Sequence, residues 1–119
     1  IMKLLNRSAI TLLAKEPFAR WIASLPEGDE LNQPTSLEEL RREGNIYLMT
    51  EAEHESDFAQ VLVDEWDNLW RNELTAWDEF GDYWPSQRSL AVFKEWFEIS
   101  HQVMAFDLSS EPLLVAKLD

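Results

Sequence analysis

The sequence predicts an α+β fold: a small, three-stranded, mainly antiparallel sheet packed with about four helices, in the order strand, helix, helix, strand, helix, helix, strand. Three observations predict it. Residues 8–14 and 45–50 are short β-favouring runs, and 102–108 alternates in polarity as a strand does. Between these runs lie two pairs of stretches whose apolar residues recur at helical spacing. Two helices folded as a hairpin return the chain to the end of the sheet it left, so the neighbouring strands become antiparallel.

The first run, SAITLLA, is apolar on both faces, so both need cover. Pro17 suits the first turn of a helix over 17–25, where Phe18, Trp21, Ile22 and Leu25 share a spacing that ends at Pro26. A polar loop over 26–34 follows. Ser36 with Glu39 three residues later forms a capping-box pattern for a helix over 37–43, ended by Gly44. Ile46 and Tyr47 favour the second strand, 45–50. Ser56 or Asp57 caps a long helix over 58–78, in which Phe58, Leu62, Trp66, Leu69, Trp70 and Trp77 span a face about 120° wide. Gly81 and Pro85 interrupt it with an aromatic loop over 80–86. Ser86 or Ser89 caps a helix over 87–99, apolar over about half its circumference. The third strand, 102–108, sets Val103 and Ala105 against Met104, Phe106 and Leu108, and Pro112 stops it.

At 119 residues the chain is expected to form a single domain, 1–119, around one core, and six Trp with six Phe make that core heavily aromatic. The absence of cysteine excludes disulfides, thiolate metal sites and cysteine nucleophiles, and suits a cytoplasmic location. The apolar run 9–14 is too short for a signal peptide or a membrane span, so neither export nor insertion is expected. A net charge of −13 repels phosphate backbones and anionic lipid, which disfavours direct binding of nucleic acid or membrane. Most of that charge is local. Residues 51–82 hold eleven acidic residues against Arg71 alone, a net −10, with Trp66, Trp70 and Trp77 threaded among them. So much indole argues against a disordered tail, and the segment is expected to fold with one face strongly negative.

Within the long helix, Glu73 falls inside the apolar arc, one turn after Leu69 and Trp70 and one turn before Trp77. A carboxylate among indoles is costly to desolvate unless it is paired or protonated, so Glu73 either snorkels to the rim or pairs with an arginine as a structural contact, or it is a functional group. Tyr83, Trp84 and Arg88 follow at the start of the next helix, where either Trp84 and Arg88 clamp a small acidic or planar ligand, or Trp84-Pro85 plugs one end of the core with Arg88 bound to an acidic neighbour from the long helix. His101 and Asp107 lie six residues apart on one face of the expected strand, about 20 Å from each other, so they form no dyad and each needs a partner from elsewhere. The run EAEHESD over 51–57 lacks the glycine and the distal glutamate of an EF-hand loop, and no metal site or cofactor is expected. GxGxxG, P-loop and GxSxG motifs are missing, which argues against nucleotide enzymes.

Arg7-Ser8-Ala9-Ile10, Glu16-Pro17-Phe18 with Trp21, Asn45-Ile46-Tyr47-Leu48, Trp84-Pro85 with Arg88, Phe93, Trp96-Phe97, His101 and Asp107-Leu108 together resemble a family of small acidic bacterial proteins described only as uncharacterised. The resemblance runs from Arg7 to Pro112. It implies a bacterial cytoplasmic protein and carries over no catalytic residue or cofactor.

The sequence therefore points to a non-catalytic protein- or ligand-binding module. Its expected binding residues are Glu73, Trp77, Tyr83, Trp84, Arg88, His101 and Asp107, and its partner is basic or neutral, a second copy of the chain being the simplest. One alternative is a small hydrolase-like enzyme with Glu73 or His101 as general base and Arg88 holding an anion, which requires the three to converge in one pocket. The other is an acidic nucleic-acid mimic or immunity-type inhibitor.

Overall fold

A computed structural model describes residues 1–26 and 36–118. The loop expected over 26–34 lies, from residue 27 on, outside the described residues. The elements run β1 (Lys3–Leu5), β2 (Arg7–Ala14), α1 (Glu16–Ser24), α2 (Leu37–Arg42), β3 (Asn45–Thr50), α3 (Glu55–Thr75), α4 (Leu90–Trp96), β4 (Phe97–Gln102) and β5 (Ala105–Asp107). The fold is α+β, with a three-stranded antiparallel sheet and four helices among the described residues.

The apolar strand β2 sits at the centre, between β3 and β4. Ile10 is opposite both Tyr47 and His101, and Leu12 is opposite both Asn45 and Ile99. Because side chains alternate along a strand, this register gathers Ser8, Ile10, Leu12 and Ala14 with the odd-numbered residues of β3 and β4 on one face. That face meets the helices in a core where Trp70, Phe93 and Leu74 are fully enclosed. Trp70 meets Trp96 edge-on at 5.1 Å, and Phe97 lies 4.8 Å from Phe18 and 5.2 Å from Phe93, centroid to centroid. Each such ring contributes on the order of 2–3 kcal/mol by leaving water. The opposite face is largely open at β3, where Ile46 and Leu48 are exposed, the latter by 53%.

Ser8, with 0% exposure, ties the two edges of the sheet together. Its Oγ donates to the Val103 carbonyl and accepts the Ala52 backbone N–H, each at 2.8 Å. At Gly44, just past α2, a Cβ would stand 2.5 Å from the Leu13 side chain and 2.8 Å from the Leu12 carbonyl, so the close approach of α2 to β2 needs glycine there.

Three expectations are corrected. The strand beside β2 is Phe97–Gln102, not 102–108, and the helix expected over 87–99 is Leu90–Trp96. Phe97 continues the helical stripe of Phe93 and Trp96 but is also the first inward residue of the strand; six register pairs with β2, from Ala14↔Phe97 to Ala9↔Gln102, decide for the strand. Ser89, one of the two caps considered, accepts the Val92 N–H at 3.2 Å. Of the predicted third strand, Ala105–Asp107 pairs instead with Lys3–Leu5 in a separate two-stranded ribbon.

The long helix starts earlier than expected and ends at Thr75 rather than 78. Its cap position is His54, and Asp57, three residues in, accepts the backbone N–H groups of Glu53 and His54 at 2.8 and 2.9 Å. Trp77 therefore leaves the helical face and stands 40% exposed in the turn beyond.

Candidate binding site around Glu73 and strand β3

Positions 61, 65, 68, 69, 72 and 73 of α3 fall on one helical stripe, and this stripe faces β3. At its C-terminal end Glu73 is 8% exposed. Oε2 accepts the Asn45 Nδ2 donor at 2.8 Å and the Tyr47 hydroxyl, and that hydroxyl in turn accepts Asn72 Nδ2 at 2.9 Å. Asn45 and Tyr47 can both reach the carboxylate because they are two residues apart on the inward face of β3. Burial, joined by the neighbouring Glu73 carboxylate, pushes the Tyr47 pKa far above the ordinary phenolic 10, against the opposing pull of the Asn72 hydrogen bond. The hydroxyl thus stays a donor at neutral pH.

The arginine partner considered for Glu73 is not what the fold supplies. Among the described residues no Lys, Arg or His nitrogen lies within 4 Å of its carboxylate, which is held by neutral donors.

The Tyr47–Glu73 contact separates two concavities. On one side a groove of about 610 Å³ runs between β3 and α3, lined by Tyr47, Met49, Val61, Leu69 and the polar pair Glu65 and Asn68. Asn68 Nδ2 donates to Glu65 Oε2 at 2.9 Å. On the other side a cleft of about 240 Å³ has Glu73, Asn45 and Glu43 as its polar groups, Leu12 and Phe18 among its apolar walls, and Trp77 beside them.

The other expected site residues are placed elsewhere. Arg88 Nε reaches Asp67 Oδ1 at 3.3 Å and its Nη1 donates to the Pro85 carbonyl at 3.1 Å, while its guanidinium lies 5.6 Å from the centre of the Trp84 ring system. Trp84 Nε1 donates to the Asp78 carbonyl at 3.0 Å, and the Tyr83 carbonyl accepts Trp21 Nε1 at 2.9 Å. Tyr83 through Arg88 is thus tied into the fold by internal hydrogen bonds, with Trp84 and Arg88 in contact with each other. His101 stacks on Phe58 at 4.0 Å and its Nε2 is 3.2 Å from Glu55 Oε1. Asp107 is on β5, not on the strand of His101; its carboxylate accepts the Ser109 N–H at 2.8 Å and lies 3.4 Å from Lys3 Nζ, and these two contacts, the Ser109 one first, lower its pKa.

Of the seven expected residues, Glu73 and Trp77 line one cleft together. Phe58, which carries His101, and Glu73 are 15 residues apart on α3, or about 22 Å along its axis. Arg88 is engaged at Asp67 between them. The sequence reading missed Asn45, Tyr47 and Asn72. The available signal was polar residues two apart on a strand face, able to meet a glutamate that interrupts an apolar helical arc.

No family model, no curated protein and no solved structure matches this chain. The resemblance to small acidic bacterial proteins accordingly rests on the quoted residues alone. Among the described residues no helix is long and apolar enough to cross a membrane.

Proposed function

We propose that the protein is a non-catalytic binding module that takes an extended, basic segment of a partner protein along β3. The observation that carries this reading is an edge strand bordering a groove. Among the described residues β3 pairs with β2 on one side only, so alternate backbone N–H and C=O groups point outward, and the adjoining groove offers Met49, Val61 and Leu69 to the added strand's side chains. The Glu65 carboxylate lies in the groove, and the net −10 of residues 51–82 attracts a basic segment and repels an acidic one.

The separation of Glu73, Arg88 and His101 supports the non-catalytic reading over the hydrolase alternative, which requires them in one pocket. The test is titration of the ¹⁵N-labelled protein with a short synthetic peptide of alternating valine and lysine. Amide shifts confined to Asn45–Thr50 and to residues 61–69, weakened by salt and by Glu65→Lys, are expected. Absence of shifts at millimolar peptide, or shifts centred on the Trp84–Arg88 loop, would overturn the proposal. Sedimentation velocity checks for a competing occupant: concentration-dependent doubling of mass would place a second copy on the edge.

A further inference from the structure

The cleft on the far side of the Tyr47–Glu73 contact points to a second and separate activity. We infer that it is a binding site for a small organic ammonium ion with an apolar body, its charged head on Glu73 and its body against Phe18, Leu12 and Trp77.

Glu73 is more than nine-tenths buried, yet it has no cationic partner among the described residues. Both described donors converge on Oε2, leaving Oε1 without a described hydrogen bond. Glu73 lines the cleft. A buried carboxylate held by two neutral donors at the edge of a cavity is an acceptor fixed in place before a ligand arrives.

The rest of the lining selects the ligand's class. Glu43 adds a second carboxylate, and no Lys or Arg is among the described residues that line the cleft, so an anion is repelled. Leu12, Ala14, Phe18 and Leu40 make the wall apolar, which a hydrated inorganic cation does not use. No three carboxylate or imidazole groups gather among the described residues as a divalent metal would need. An indole at the cleft adds attraction for an ammonium group. At about 30 Å³ per water, 240 Å³ is the space of roughly eight waters, suited to a small amine and below the usual range for drug-sized ligands.

The test uses 2-phenylethylammonium as probe, with 2-phenylethanol as its neutral counterpart and 3-phenylpropionate as its anionic one. Heteronuclear NMR on the whole chain, with the Trp77 indole resonance assigned through Trp77→Phe, reads the location. The expected result is saturable shifts at Gly44, Asn45 and the Trp77 indole with the ammonium ion, and much weaker binding of the other two. Glu73→Gln keeps a carbonyl oxygen for Asn45 and Tyr47 while removing the charge, and it should weaken binding by about tenfold or more. Equal binding of 2-phenylethanol by the unaltered protein, which needs no variant to fold, overturns the inference. So do unchanged affinity in a folded Glu73→Gln protein, absence of saturation, and shifts spread along the acidic face of α3. Because the peptide groove and this cleft lie on opposite sides of the Tyr47–Glu73 contact, the two proposals fail independently.

Discussion

Replacing Tyr47 with phenylalanine isolates the hydrogen bond that separates the two concavities. The ring is kept and only the hydroxyl goes, so packing against the core is little changed. Two bonds are lost: the one donated to Glu73 Oε2, and the one accepted from Asn72 Nδ2 at 2.9 Å. Asn72 is exposed and recovers water, so its loss costs little. Glu73 does not recover as easily, because it is 8% exposed and keeps only Asn45 as a described donor. A hydrogen bond to a charged group contributes about 1.5–3 kcal/mol, which sets the expected loss at about 2 kcal/mol. For a chain of this size that is a fall in Tm of roughly 8 °C.

Urea denaturation of the two proteins, compared at equal m-value, measures it. In a Glu73→Gln background the same substitution should cost about half as much, because a neutral acceptor makes a bond roughly half as strong. There is also a signature in pH. The folded-state pKa of Tyr47 is raised above the unfolded value of 10, so its contribution to stability is whole below pH 10 and is lost as pH climbs toward the folded value. Tyr47→Phe should flatten that alkaline decline by up to one proton. A stability loss below about 0.5 kcal/mol together with an unchanged alkaline limb would refute the assignment of Tyr47 as the donor that holds Glu73.

Two further predictions concern the frame that holds β3 and α3. Ser8→Ala should destabilise by about 2–3 kcal/mol in the same assay, because it orphans the buried Ala52 N–H and loses the bond to the Val103 carbonyl; a loss under about 0.5 kcal/mol would show that water replaces the hydroxyl. Asp57→Asn should change the acid limb of stability: the backbone N–H groups of His54 and Glu53 lower the Asp57 pKa below its ordinary 3.8, so its contribution is present above that value and lost as pH falls through the folded one, and the variant's acid limb should be shallower, as pH-dependent unfolding followed by circular dichroism would record.

Much of the secondary structure was legible because its signals are local. β3 falls on the residues that the β-favouring run 45–50 marks out, and Ser36 Oγ accepts the Glu39 N–H at 3.1 Å as the capping pattern requires. Local signals failed where one residue satisfied two periods. Phe97 fits both the helical stripe of Phe93 and Trp96 and the strand alternation with Ile99 and His101, and only pairing with β2 separates them. Trp77 belonged to the helical arc by spacing, but the turn closed by the Trp77 and Asp78 N–H groups on the Leu74 carbonyl takes it off that face. Trp84 and Arg88 carried the composition of a ligand clamp. In the fold Arg88 pairs with Asp67, an acidic residue of the long helix as the plug alternative expected, and Trp84 bonds to the Asp78 carbonyl; which acidic residue Arg88 meets, 21 positions away, was set by packing.

By itself, the sequence determined the α+β class, the concentration of negative charge over 51–82, the aromatic composition of the core and the anomaly of a glutamate inside an apolar arc, because each follows from composition or a short-range period. Tertiary structure alone decided what answers that glutamate. Asn45 and Tyr47 are 28 and 26 residues from Glu73 in the chain. They reach it because β3 packs along α3 in one register, and a shift of that register by one residue would turn both side chains to the other face of the sheet.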